Sequence, residues 1–149
     1  MTLTAFTDGA SRGNPGESGL GIVVRKEDGT VLLTRSRYLG RTTNNVAEYS
    51  ALLELLEAVR TIPCTRVVAH SDSELMVRQV KGEYKVRDPE LKILHARVLA
   101  ILREAPYTFE LRHVPRSLNA QADRLANEGI DARPEAAGPG GEAEQPAAG

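Results

Sequence analysis

Cysteine is almost missing from this chain: Cys64 is the only one in 149 residues, so no internal disulfide can form. That fits a reducing compartment, and a cytoplasmic protein is the expectation. Long apolar runs are missing too. None approaches the ~20 residues that a membrane span needs, so no membrane partner is expected. The N-terminus shows no basic stretch followed by an apolar one, so no secretory leader is expected. Spacings of His and Cys that would hold zinc are absent. A charge excess is lacking as well, since the formal net charge is −1. The total misleads, however. From Pro134 onward there are three acids (Glu135, Glu142, Glu144) and no Lys or Arg, so residues 1–133 carry 19 basic against 17 acidic groups. That balance permits a polyanionic partner without pointing to one.

What is present is ordinary for one globular domain: 41% hydrophobic and 26% charged residues. The end of the chain differs. Residues 134–149 read PEAAGPGGEAEQPAAG, with no aromatic or β-branched residue. Such a segment has too little to bury to offset its ordering entropy, so a disordered tail or a linker to a further domain is expected there. Residues 1–133 are expected to form the single domain, as a monomer.

Within that domain the hydrophobic period alternates. Leu3 to Thr7 reads as a short strand ending at Asp8, followed by a turn-rich stretch, GASRGNPGESG. Leu20 to Arg25 and Val31 to Leu39 read as strands joined by the hairpin signal Glu27-Asp28-Gly29. Asn45 to Arg60 is an amphipathic helix stopped by Pro63, and Arg66 to His70 a fourth strand. Helices are expected over Ser73–Lys81, Glu90–Glu104 and Leu118–Asp131, with a fifth strand over Phe109–Val114. The order βββαβααβα predicts an α/β fold: a five-stranded mixed sheet, an antiparallel meander plus parallel strands, with helices on both faces.

Acids on a solvated face need no explanation, but those in apolar positions do. At about 100° per residue, Leu52, Leu55 and Val59 project within about 40° of Glu48, which puts Glu48 on the buried stripe of its helix. The plainer account is an acid near a helix N-terminus. Asp8 and Asp72 each end a strand, where ligands of open α/β sheets gather. Their plainer accounts are a turn pair with Gly9 and a capping box built on Ser71 and Glu74. Asp123 lies in the last helix, and alone it would be unremarked. Together the four are too repulsive to cluster without a cation, and oxygen-only ligands select a hard one.

The segments FTDGASRGNPG, TTNNVAEY, HSDSELMVRQVKGEYKV and VPRSLNAQADRLAN resemble, in order, the successive motifs of the type 1 ribonuclease H family, over about residues 3–131. The resemblance implies the ribonuclease H-like fold and hydrolysis of the RNA strand of RNA–DNA hybrids, leaving 5′-phosphate and 3′-hydroxyl ends. It places the metal-binding acids at Asp8, Glu48, Asp72 and Asp123, holding two Mg²⁺ ions for which Mn²⁺ would substitute. By this resemblance Asp8 bridges both ions, Glu48 and Asp72 serve the leaving-group side and Asp123 the nucleophile side. Gly9, Ala10, Ser11 and Arg12, with Asn14, Asn44 and Asn45, match the surface that reads 2′-hydroxyls. Arg41 and Thr43 match a pocket for a phosphate of the DNA strand, and Glu74 and Asn119 match further substrate contacts.

Several positions depart from the family pattern. Glu74 stands where Gln is frequent, and Asp88 where an Asn often completes the phosphate pocket. Arg116 takes the place of a His in the loop before the last acid, and His113 is its rival for that role. The family's basic insertion is missing, so this is the form without that protrusion. The stretch Lys81–Arg87, with Tyr84, either replaces part of it or is a solvated loop. Gly13, Gly16, Gly19 and Gly21 are not a dinucleotide loop, because a strand follows them rather than a helix. His70 is expected packed, His95 on a helix surface and Cys64 without a partner. Two other functions stay open at this point: a DNA-acting nuclease of the same fold and a non-catalytic hybrid-binding module.

Overall fold

The computed structural model describes residues 1–134. The expected tail, residues 134–149, lies outside the described residues apart from Pro134. Five strands, β1 (Thr2–Gly13), β2 (Gly16–Lys26), β3 (Val31–Thr42), β4 (Arg66–Ser71) and β5 (Thr108–His113), form one sheet in the order β3-β2-β1-β4-β5. β1 pairs antiparallel with β2 and parallel with β4, and β4 pairs parallel with β5. The helices are α1 (Asn44–Ala58), α2 (Glu74–Val80), α3 (Pro89–Glu104) and α4 (Ala120–Asp131). No helix among the described residues is long and apolar enough to cross a membrane.

Alternation along β2 shows how both faces are used. Ile22 and Val24 are fully buried in the core cluster with Leu52, Leu55 and Leu56 of α1. Gly19 and Gly21, of opposite parity, look at α4: a Cβ on either would come within 2.4 Å of an α4 carbonyl, of Ala126 or Ala122. Side chains at those two positions would force α4 off the sheet. Burial of Leu52 and Leu55 contributes roughly 1.5–3 kcal/mol each and fixes which face of α1 turns inward.

The first strand departs from expectation. The turn-rich stretch after Asp8 is strand as far as Gly13, because Gly9 to Arg12 pair with Glu17 to Leu20 across the hairpin. Small residues in that run signal a long two-stranded arm that a helix can approach closely, rather than a loop. The Glu27–Gly29 turn forms as expected, with Gly29 at φ 91. The last helix begins at Ala120, after a 3₁₀ turn over Arg116–Leu118.

Candidate active site

The parallel ladder between β1 and β4 stops at the rung Thr7↔Ser71. Asp8 and Asp72 are each the next residue, so the register alone puts two acids side by side at the carboxyl end of the sheet. Glu48 reaches them from the second turn of α1. Carboxylate oxygens of Asp8, Glu48 and Asp72 all lie within 4.8 Å of one another. Asp8 and Glu48 are each 4% exposed.

Gly9 makes this approach possible. A Cβ there would stand 2.1 Å from the Ala47 carbonyl carbon, so only glycine lets α1 lie against β1 at this point. The Gly9 amide donates to Glu48 Oε1 at 3.0 Å. Asp123 arrives from the opposite face of the sheet by a similar device. Gly21 is the cross-strand partner of Asp8, and it receives α4 at Ala122, the neighbour of Asp123. Asp123 stands outside the 4.8 Å group but near enough for its carboxylate to raise that of Asp8 further.

Electrostatics follow from this crowding. Burial foremost, then the charges of Glu48, Asp72 and Asp123, hold the Asp8 carboxyl far above the usual carboxylate range. Burial and Asp72 push Glu48 up to about 8, against the pull of the Gly9 amide and of Arg116. Acids so placed give up their protons readily only to a cation. The donor set is all oxygen and anionic, which fits a hard divalent ion. The acids line a cavity of 420 Å³ with Arg116, whose guanidinium is 4.0 Å from Asp123 Oδ1 while its side chain is 84% exposed.

The residues expected to contact substrate divide. Gly9, Ala10, Ser11 and Asn44 line the cavity. Asn14 Oδ1 accepts from the Asn44 amide at 3.0 Å, joining the β1–β2 hairpin to the start of α1, with Asn45 half-buried beside it. Arg12 turns away: its guanidinium is 2.7 Å from Asp131 and also bonds Asn127. Thr43 spends its hydroxyl capping α1 at the Val46 amide. Arg41 is exposed and faces Glu17 across the β2–β3 ladder. Glu74 pairs with Arg78 at 2.9 Å and does not line the cavity. Asn119 is buried, 1% exposed, bonds the Thr7 carbonyl and does not line the acid cavity.

Other expectations are corrected in detail. The cap of α2 is Ser73, bonding the Met76 amide, while Ser71 accepts from Ser73 instead of opening a capping box with Glu74. Asp88 caps α3 at the Glu90 and Leu91 amides, which explains an acid at that position. His95 is half-buried, its Nε2 against the Gln79 carbonyl at 3.0 Å, rather than on a free surface. His70 is packed as expected, stacked on Phe6 with ring centroids 4.6 Å apart. Ser73 and Asn127 line the cavity and were not singled out from sequence. The signal for Asn127 was its place one helical turn after Asp123, where its Nδ2 bonds the Asp123 carbonyl at 3.0 Å.

Comparison with known proteins agrees with this geometry. A family model described as reverse transcriptase-like matches residues 6–129. Ribonuclease HI of Halobacterium salinarum is 39% identical over 127 residues, covering 85% of this chain and 63% of that protein. A bifunctional protein of Mycobacterium tuberculosis is 39% identical over 141 residues, covering 92% of this chain and 38% of that protein. The chain thus spans less than two thirds of either relative. LC11-RNase H1, solved in complex with an RNA/DNA hybrid, superposes with a TM-score of 0.83 at 44% identity, over 87% of this chain and 96% of that one. With its sheet order, its acid cluster and these matches over most of its length, the chain belongs to the type 1 ribonuclease H family.

Proposed function

We propose that this chain is an endoribonuclease that hydrolyses the RNA strand of RNA–DNA hybrids, with Mg²⁺ as its working ion and Mn²⁺ as a substitute. The observation that carries the proposal is the convergence of Asp8, Glu48 and Asp72 within 4.8 Å, with Asp123 beside Asp8. Divalent ions held by such carboxylates activate water and stabilise the charge that develops on phosphate and leaving oxygen. The residues of this chain do the holding. Asp8, Glu48, Asp72 and Asp123 supply anionic oxygens, and the Gly9 amide fixes the direction of Glu48. Arg116, beside the cavity, attracts the scissile phosphate. The Asn14–Asn44 junction and the backbone of Gly9 to Ser11 form the edge along which an RNA strand's 2′-hydroxyls are read. Products carry 5′-phosphate and 3′-hydroxyl ends.

One assay tests this reading. A labelled hybrid, a duplex RNA, a duplex DNA and a DNA duplex with one embedded ribonucleotide are incubated with Mg²⁺ or with EDTA. Cleavage of the RNA strand of the hybrid alone, abolished by EDTA, is expected. Cutting of duplex DNA would move the protein to another activity on this fold, and an inert protein would leave a binding module. Efficient cutting at the single ribonucleotide would contradict a surface that reads several consecutive 2′-hydroxyls.

A further inference from the structure

The segment between β5 and α4 is fastened at both ends, and both fastenings fall next to the acid cluster. At one end the Val114 amide donates to the Ser71 carbonyl at 2.9 Å. At the other, Asn119 Nδ2 donates to the Thr7 carbonyl at 2.9 Å. Ser71 and Thr7 are the two halves of the last rung between β4 and β1. They immediately precede Asp72 and Asp8. Between the fastenings the chain carries Arg116, and one turn beyond them it carries Asp123.

Asn119 is the more informative of the two ends. It occupies the N-cap position of α4, where an Asn side chain ordinarily bonds an amide of the first turn, yet here it makes no such bond. The side chain reaches across to β1 instead. Its backbone carbonyl accepts from the Asp123 amide at 3.0 Å. One residue therefore grips β1 just before Asp8 with its side chain and the first turn of α4 at Asp123 with its backbone. Asn119 is buried to 1% exposure, and its Oδ1 finds no partner among the described residues. A buried amide is left half-satisfied at a cost, and the bond it keeps is the one that spans the two metal-binding elements.

We propose that Asn119 is a positioning residue for the reaction: its bond to the Thr7 carbonyl sets the placement of Asp123 relative to Asp8, and so the affinity for the cation those two acids share. The proposal rests on the metal-dependent reading of the acid cluster given above. Asn119 touches neither ion nor substrate and acts through Asp123 alone.

The test is titration of Mn²⁺ by calorimetry, without nucleic acid, on wild type, Asn119→Ala, the milder Asn119→Ser, Asp123→Asn and the Asn119→Ala/Asp123→Asn double variant. Steady-state cleavage and circular dichroism are measured alongside. In each single Asn119 variant metal affinity should fall about 10- to 100-fold, in line with loss of a group that orients a ligand. kcat should fall with it while KM for the hybrid holds. In the Asp123→Asn background the Asn119 change should cost no further metal affinity. Asn119→Ser reports on the proposal should Asn119→Ala fail to fold. A wild type that binds no divalent ion would bring down the metal reading and this inference together. A wild type that binds and cleaves, with Asn119 variants equally tight for metal, would overturn this inference alone. An undiminished effect of Asn119→Ala without the Asp123 carboxylate would overturn it as well.

Discussion

The backbone amide of Gly9 donates to Oε1 of Glu48 at 3.0 Å, which ties the strand carrying Asp8 to the helix carrying Glu48 through the residue next to Asp8. The contact exists because position 9 has no side chain. Gly9→Ala would set a methyl 2.1 Å from the Ala47 carbonyl carbon, so the backbone there must shift. Overpacking of this kind costs about 1–3 kcal/mol, and here it is relieved by moving α1 away from β1. The expected result is a lower melting temperature together with a loss of activity far larger than the loss of folded protein. Normal activity in a folded Gly9→Ala would show that the separation of Asp8 from Glu48 is not critical.

Asp72→Asn should remove nearly all cleavage while hybrid binding persists in a mobility-shift assay. The substitution keeps the shape of the side chain and deletes one of the charges that push Asp8 and Glu48 upward. Relief of that repulsion predicts an apo melting temperature equal to or above that of wild type. A residual rate above about a tenth of wild type, or some 1.4 kcal/mol of barrier, would contradict a metal-binding role.

The crowded acids also predict how the metal-free protein responds to pH. Both Asp8 and Glu48 are raised, Glu48 to about 8, so the folded state holds protons that the unfolded chain has already released. Their contribution to stability is therefore present below about pH 4 and is lost as pH rises, toward about 8 for Glu48 and about 10 for Asp8, with a slope of at most about 1.4 kcal/mol per pH unit for each proton. In EDTA the melting temperature should fall between pH 5 and pH 8. Mg²⁺ should flatten or reverse the slope, because a bound cation favours the charged carboxylates. A melting temperature in EDTA that climbs over this range would show that the acids are less coupled than their geometry implies.

Helical and strand periods made most of this architecture legible in the sequence. Glu48 was visible as an acid on an apolar stripe with Leu52, Leu55 and Val59, all of which are buried. Asp8 and Asp72 were visible as strand ends, although their adjacency depends on a parallel register that no local pattern encodes. The arm beyond Asp8 was misread because Gly, Ser and Asn favour turns, while what makes it strand is its pairing with Glu17 to Leu20 across the hairpin. Gly19 and Gly21 gave a glycine pattern whose meaning is the seat of α4, a tertiary fact. Arg12, Thr43, Glu74 and Asn119 carry residue types fit for substrate contact, but each is committed to a neighbour within the protein. Competition from internal partners is invisible until the chain is folded.

Arg116 yields the sharpest mutational comparison. Its guanidinium stands 4.0 Å from Asp123 Oδ1, a distance of charge attraction rather than of a firm hydrogen bond, and its side chain is 84% exposed at the mouth of the cavity. Such a group is free to turn toward a phosphate when substrate arrives. Arginine remains protonated at any working pH, so it donates and attracts but does not act as a general base. Arg116→Ala should lower turnover about 10- to 100-fold, within the range ascribed to one electrostatic contact. It should leave the fold intact, since an exposed pair at this distance contributes little to stability. The pH–rate profile of wild type should show no limb near about 6.5, where a histidine would titrate. His113 ends β5 as the ladder partner of Ser71 and does not line the cavity, so His113→Ala should be the milder variant. If His113→Ala proves slower than Arg116→Ala and abolishes a titrating limb, the proton traffic of this site runs through the strand end and not through the loop.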